Sequence, residues 1–119
     1  MTRWMAKFVR RVGIAEAALI EAILRAERGL IDADLGGGVI KQRVERVGQG
    51  RASGYRTLIA IRRGDRAGFV YGFEKSDRGN IGEDELETLR DLARNLLALD
   101  AAGLERAMAE ERLKEIDHA

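Results

Sequence analysis

Two apolar segments with a two-residue alternation sit in the middle of this chain, and helical periodicity flanks them on both sides. From Tyr55 to Ile61, Tyr55, Thr57, Ile59 and Ile61 fall on one face of an extended strand, and Arg56, Leu58 and Ala60 on the other. A basic turn, Arg62-Arg63-Gly64-Asp65-Arg66, leads into Phe69-Val70-Tyr71-Gly72-Phe73. So short a connection makes a hairpin, and a hairpin is antiparallel. Gly72 marks either a bulge or a close backbone approach. A third β-prone run, Val39 to Val44, follows Gly36-Gly37-Gly38, and Gly48-Gln49-Gly50 reads as a loop.

The chain has no proline, so its helices are punctuated by glycines and capping residues. Ile14 to Arg28 is helical in pattern, with Ala17, Ile20, Ile23 and Leu24 as its apolar face and Gly29 as its stop. Met5 to Arg11 forms a shorter helix that breaks at Gly13. Asn80 with Glu83 resembles a capping box, and Leu86, Leu89, Ala93, Leu96 and Leu97 make a stripe behind it. Asp100 caps a last helix carrying Leu104, Ala107 and Met108; Leu113 and Ile116 add a final contact or strand. Strands grouped between helices, rather than alternating with them, predict an α+β fold. The expected architecture is a small antiparallel sheet of three strands, a mixed edge being allowed, with N-terminal and C-terminal helices. The 119 residues are read as a single domain, 1–119, with one core.

Composition removes several kinds of chemistry. There is no cysteine, hence no disulfide, thiolate nucleophile or Cys-ligated zinc. The one histidine, His118, stands next to the last residue, which leaves no histidine-based metal site or triad. No cofactor and no metal are expected. No apolar run approaches the roughly 20 residues of a membrane span, and Met1 to Val12 lacks a signal-peptide core, so a cytoplasmic protein with no membrane partner is expected. The net charge of +1 conceals an asymmetry: residues 36–78 hold ten basic and four acidic side chains, whereas residues 79–119 hold five basic and eleven acidic. A phosphate backbone would dock on the basic middle.

Within that middle, Gly50-Arg51-Ala52-Ser53-Gly54-Tyr55-Arg56 offers backbone N–H groups and guanidinium forks suited to phosphate. It is equally a glycine-rich connection with solvated arginines. Pairing of the two central strands brings Arg56 and Lys75 to one end of the sheet and Arg62, Arg63 and Arg66 to the other. Lys75 and Arg78 either face a ligand or pair with Glu74, Asp77 or the acidic helix. Tyr55 and Tyr71 either stack on a nucleobase or fill a half-buried strand. Trp4 is a core anchor or a partner contact. Glu83, Asp84 and Glu85 match a helix N-terminus better than an acid–base or metal site.

Taken together, Gly36 to Arg43, Gly50 to Arg56 and Phe69 to Ile81 resemble, in order and spacing, the RelE/ParE superfamily of bacterial toxins and within it the RelE/HigB-like branch. The likeness runs over roughly residues 4–116. The branch carries Ser-Gly-Gly where this chain has Ala52-Ser53-Gly54, and a small residue in place of Glu74. The resemblance implies a RelE-like fold, a cognate antitoxin of helix-turn-helix type, and operator DNA bound indirectly through the pair. It implies a ribosome-dependent endoribonuclease that cuts mRNA by attack of a 2′-OH on the adjacent phosphate, using Arg, Lys and Tyr rather than His. By position, Arg56 would stabilise the phosphorane and Lys75 would clamp phosphate or protonate the leaving group, with Tyr71 as the third catalytic residue. Lys41, Arg43, Arg51, Ser53, Tyr55, Arg78 and Asn80 would bind RNA. The alternatives are a non-enzymatic, ParE-like gyrase inhibitor, and an inactive member that binds only antitoxin and operator DNA.

Overall fold

A computed structural model describes residues 1–46, 50–62, 66–74 and 82–110, with the backbone alone at 45–46 and 50–54. Thr2 opens helix α1 (Arg3–Val12), its Oγ1 accepting from the N–H of Met5 at 3.2 Å. Gly13 closes that helix in the left-handed conformation. Helix α2 (Glu16–Glu27) ends in a Schellman arrangement: the N–H of Leu30 reaches the carbonyl of Arg25 and that of Gly29 reaches Ala26. Four strands follow, β1 (Ala33–Gly36), β2 (Val39–Arg46), β3 (Gly50–Arg62) and β4 (Arg66–Glu74), then α3 (Glu83–Ala98) and α4 (Ala101–Ala109). Asp100 caps α4 as expected, accepting from the N–H of Gly103 at 2.7 Å.

The strands form one sheet in the order β1-β2-β3-β4, antiparallel at every step, so no edge is mixed. The α+β class holds, but with four strands rather than three. The extra strand, β1, is only four residues long, too short for its alternation of half-buried Ala33 and Leu35 with exposed Asp34 and Gly36 to stand out. It is made by backbone pairing across Gly36-Gly37-Gly38, all three at positive φ, where a side chain would be strained. The expected loop at Gly50 is strand: β3 begins there, with Gly50 opposite Arg46. In α3 the N-cap is Gly82, without a side-chain cap bond, and Asn80 lies outside the described residues.

Helices cover both faces of the sheet. On one side α1 and α2 bury Met5, Phe8, Leu19, Ala22 and Ala26 against Ile40, Val44, Tyr55, Ile59 and Phe69. On the other, α3 buries Leu89, Ala93 and Leu96 against Val39, Leu58, Ala60 and Val70. The single expected core is thus two apolar layers sharing one sheet. The buried face of α2 is also not the expected one. Leu19, Ala22, Arg25 and Ala26 point inward, whereas Leu24 is 50% exposed. Small alanines let α2 lie close to β2.

Gly72 is a close approach, as one of its two readings held: a Cβ there would sit 2.5 Å from the Phe8 ring and 2.9 Å from Met5 Sδ. Thr2 completes this contact. Its N–H donates to Phe69 O at 2.9 Å and its hydroxyl to Val70 O at 2.8 Å, so the start of α1 is bonded to the outer edge of β4. Strand register then determines which side chains remain where α3 does not reach.

Candidate functional site

Cross-strand pairing places Arg43, Arg56 and Phe73 in one row, and Lys41, Leu58 and Tyr71 in the next row on the same face. This is the face that carries α3, because Leu58 belongs to the α3 layer. The helix covers the end around Val39, Ala60 and Val70. Toward the other end, Lys41, Arg43, Arg56 and Tyr71 are only half-buried. Four of the expected site residues therefore share one stretch of sheet. The Tyr71 ring leans on Phe73, with centroids 6.1 Å apart and planes tilted by 39°.

Directly opposed arginines repel, and at Arg43 a carboxylate offsets this. Asp32 Oδ2 accepts from both the backbone N–H of Arg43, at 2.7 Å, and its Nε, at 3.1 Å. Behind the strand, the buried Arg25 donates to the carbonyl of Arg43 at 2.6 Å. The fully buried Gln42 donates to the carbonyls of Ala22 and Leu30, both at 3.0 Å, and accepts from the N–H of Asp32 at 3.2 Å. Buried polar groups satisfied this completely hold a strand in one position. None of Asp32, Arg25 or Gln42 stood out in the sequence. The one hint was a polar glutamine at the buried phase of a β run.

Tyr55 is a correction. It lies on the opposite face, is 6% exposed and meets Phe8 edge-on at 5.5 Å, with its hydroxyl donating to Val12 O at 3.4 Å. That ring is core and offers no face to a base. Glu74 pairs with Tyr55, so the strand alternation sets it on the face away from Arg56. Trp4 is no core anchor, being 56% exposed. Arg51 and Ser53 fall on β3, but their side chains lie outside the described residues, as do Lys75, Arg78 and Asn80 altogether.

The second basic cluster has a different fate. Arg62 and Arg66 pair at the hairpin end, as expected. Arg66 donates to the carbonyls of Leu96 and Leu99 at 2.8 and 2.7 Å, and Arg62 donates to that of Leu97 at 2.9 Å. Helix α3 has no basic residue in its last turn. These two arginines supply the missing donors and positive charge at its C-terminus. Likewise Arg90 of α3 binds the carbonyl of Leu35 and holds the β1–β2 turn. Among the described residues no group of three or more His, Asp or Glu is placed to hold a metal ion.

An antiparallel sheet flanked by helices is the α+β fold that the sequence resemblance implied. The model of the RelE toxin of the RelE / RelB toxin-antitoxin system matches residues 1–116. The chain belongs to the RelE toxin family. It is accordingly a toxin of a toxin–antitoxin system, and an antitoxin is its implied partner. Comparisons with curated proteins and with solved structures returned no match. No described helix of this toxin is long and apolar enough to cross a membrane.

Proposed function

We propose that this toxin is an mRNA endoribonuclease that acts at the ribosome, in the cytoplasm, in the manner of the RelE/HigB-like branch. The observation that supports the reading is the row Arg43–Arg56, with Lys41 and Tyr71 in the next row of the same face, all four half-buried and Tyr71 at the margin of α3. Guanidinium groups hold phosphate oxygens through paired N–H donors, and they stay charged at any working pH.

In this reading Lys41 and Arg43 grip the backbone on either side of the cut. Tyr71 orients the 2′-OH, whose oxygen attacks the adjacent phosphorus while its proton passes to solvent water. Arg56 stabilises the negative charge that builds on the phosphorane oxygens. The bond to the 5′ oxygen then breaks, and Lys75 gives the leaving oxygen its proton. The products are a 2′,3′-cyclic phosphate and a 5′-OH. Chemistry of this kind needs positioned charge and a proton donor, and it has no requirement for histidine. The antitoxin, of helix-turn-helix type, would carry the pair to operator DNA.

Primer extension on cellular mRNA after brief expression tests the proposal. Wild-type toxin should leave discrete breaks within translated frames, and Arg56→Ala should lower their rate by about 10²–10³-fold, the usual cost of removing one transition-state donor. Intact transcripts with an induced DNA-damage response would move the assignment to a gyrase poison. Normal growth with abundant folded toxin would leave only antitoxin and operator binding.

A further inference from the structure

Helix α2 turns a second apolar face away from the sheet. Ala17, Ile20 and Leu24 recur at spacings of three and four, yet none of them belongs to either apolar layer of the fold. Ala17 is exposed, Ile20 half-buried and Leu24 50% exposed. Among the described residues only two other large apolar side chains, Trp4 and Leu30, are as open, and Leu30 follows the end of this same helix. Periodicity alone predicts this face to be buried, but the close fit of alanines to β2 leaves it outside.

The charges at its ends follow a particular order. Glu16, Ile20, Leu24 and Arg28 stand four apart and so form one row along the helix. The row reads acid, apolar, apolar, base over about 18 Å. Glu16 opens the helix, Arg28 is its C-cap, both are exposed, and neither is ion-paired among the described residues. Such a row is its own complement. Turned end for end, it sets Ile20 against Leu24 and Glu16 against Arg28, twice over, and it opposes the two helix dipoles. A phosphate backbone or an anionic lipid surface would instead meet the carboxylates of Glu16, Glu21 and Glu27, with Arg25 buried behind them.

We infer that α2 is a contact between two copies of this chain, packed antiparallel about a two-fold axis that passes between Ile20 and Leu24. The interface is isologous, each copy supplying the same four residues. One pair of helices buries less than the surface of a permanent dimer, so the association is reversible and depends on concentration. Because α2 lies on the sheet face opposite the Arg43–Arg56 row, the two rows stand on the outer sides of the pair. The dimer therefore stands or falls apart from the nuclease reading.

Sedimentation of the purified full chain over a range of concentrations tests it. A reversible monomer–dimer equilibrium is expected. Leu24→Glu, at an exposed position, should keep the helical circular dichroism of wild type and raise the dimer Kd at least about tenfold. Glu16→Arg and Arg28→Glu, each alone, set like charges together at both ends and should raise it about fivefold. Mixed in equal amounts, those two variants should associate within about twofold of wild type, because every cation then faces a carboxylate. A chain that stays monomeric throughout overturns the inference. So does a dimer that tolerates Leu24→Glu, or a mixture that associates no better than its components. If the amides of α2 gain protection from hydrogen exchange only when antitoxin or RNA is added, the face belongs to that partner and the inference is equally overturned.

Discussion

The two ends of the β3–β4 hairpin begin with similar chemistry and finish with opposite assignments. At one end Arg56 stands opposite Arg43, half-buried, on a sheet surface that the described helices do not cover. At the other, Arg62 and Arg66 stand opposite each other and bond to the carbonyls that end α3. A guanidinium fork is equally suited to phosphate and to a cluster of main-chain carbonyls. What separates the two ends is the position of α3. Its C-terminus presents carbonyls and negative partial charge to the hairpin end, and its body does not reach over the Arg43–Arg56 row.

Substitutions at each end should therefore fail in different ways. Arg56→Ala should give the largest effect, the hundredfold or greater loss of cleavage already stated, with a stability change below about 1 kcal/mol in urea denaturation. A cooperative loss of folding instead would show that Arg56 is structural and would erase the contrast. Arg66→Ala should do the reverse, removing charge-assisted bonds to two carbonyls at a cost of about 2 kcal/mol while the cleavage rate of the folded fraction is unchanged. A nuclease defect at full stability would mean that the hairpin end also meets RNA.

Arg43→Ala is the intermediate case. It should weaken binding of single-stranded RNA and lower the slope of log K against log salt by about 0.7, one phosphate contact. An unchanged slope would place Arg43 outside the contact. The smallest effect belongs to Asp32→Asn, which keeps the acceptor for the Arg43 N–H but removes the competing charge. RNA affinity should rise about two- to threefold, because a half-exposed ion pair contributes less than about 1 kcal/mol. A fall in affinity would show that Asp32 positions Arg43 rather than competing for it.

The contrast also explains what the sequence discloses. Features determined by neighbours in the chain are legible: the left-handed stop at Gly13, the αL glycine after α2, the Asp100 cap and the hairpin itself. Features determined by distant groups are not. Apolar residues lie on two faces of α2, and only the close fit to β2 selects the face rich in alanine. Strand β1 is too short for its four-residue alternation to stand out, and it is held by backbone pairing with β2. Tyr55 and Tyr71 look alike as strand aromatics, yet register sends one into the core against Phe8 and the other to the surface. The positions of the arginines were readable, whereas their engagements depended on where α3 comes to rest.

The bond between Thr2 and the edge of β4 joins points 67 and 68 residues apart. A nascent chain cannot make it until the ribosome has released the second half of the hairpin, so α1 stays undocked through most of synthesis. Closing so long a loop is entropically costly until β4 is present to receive it. A polypeptide that harms its own host is thus kept unassembled until most of its length has been translated, and prematurely terminated fragments lack the surface against which their first helix would settle.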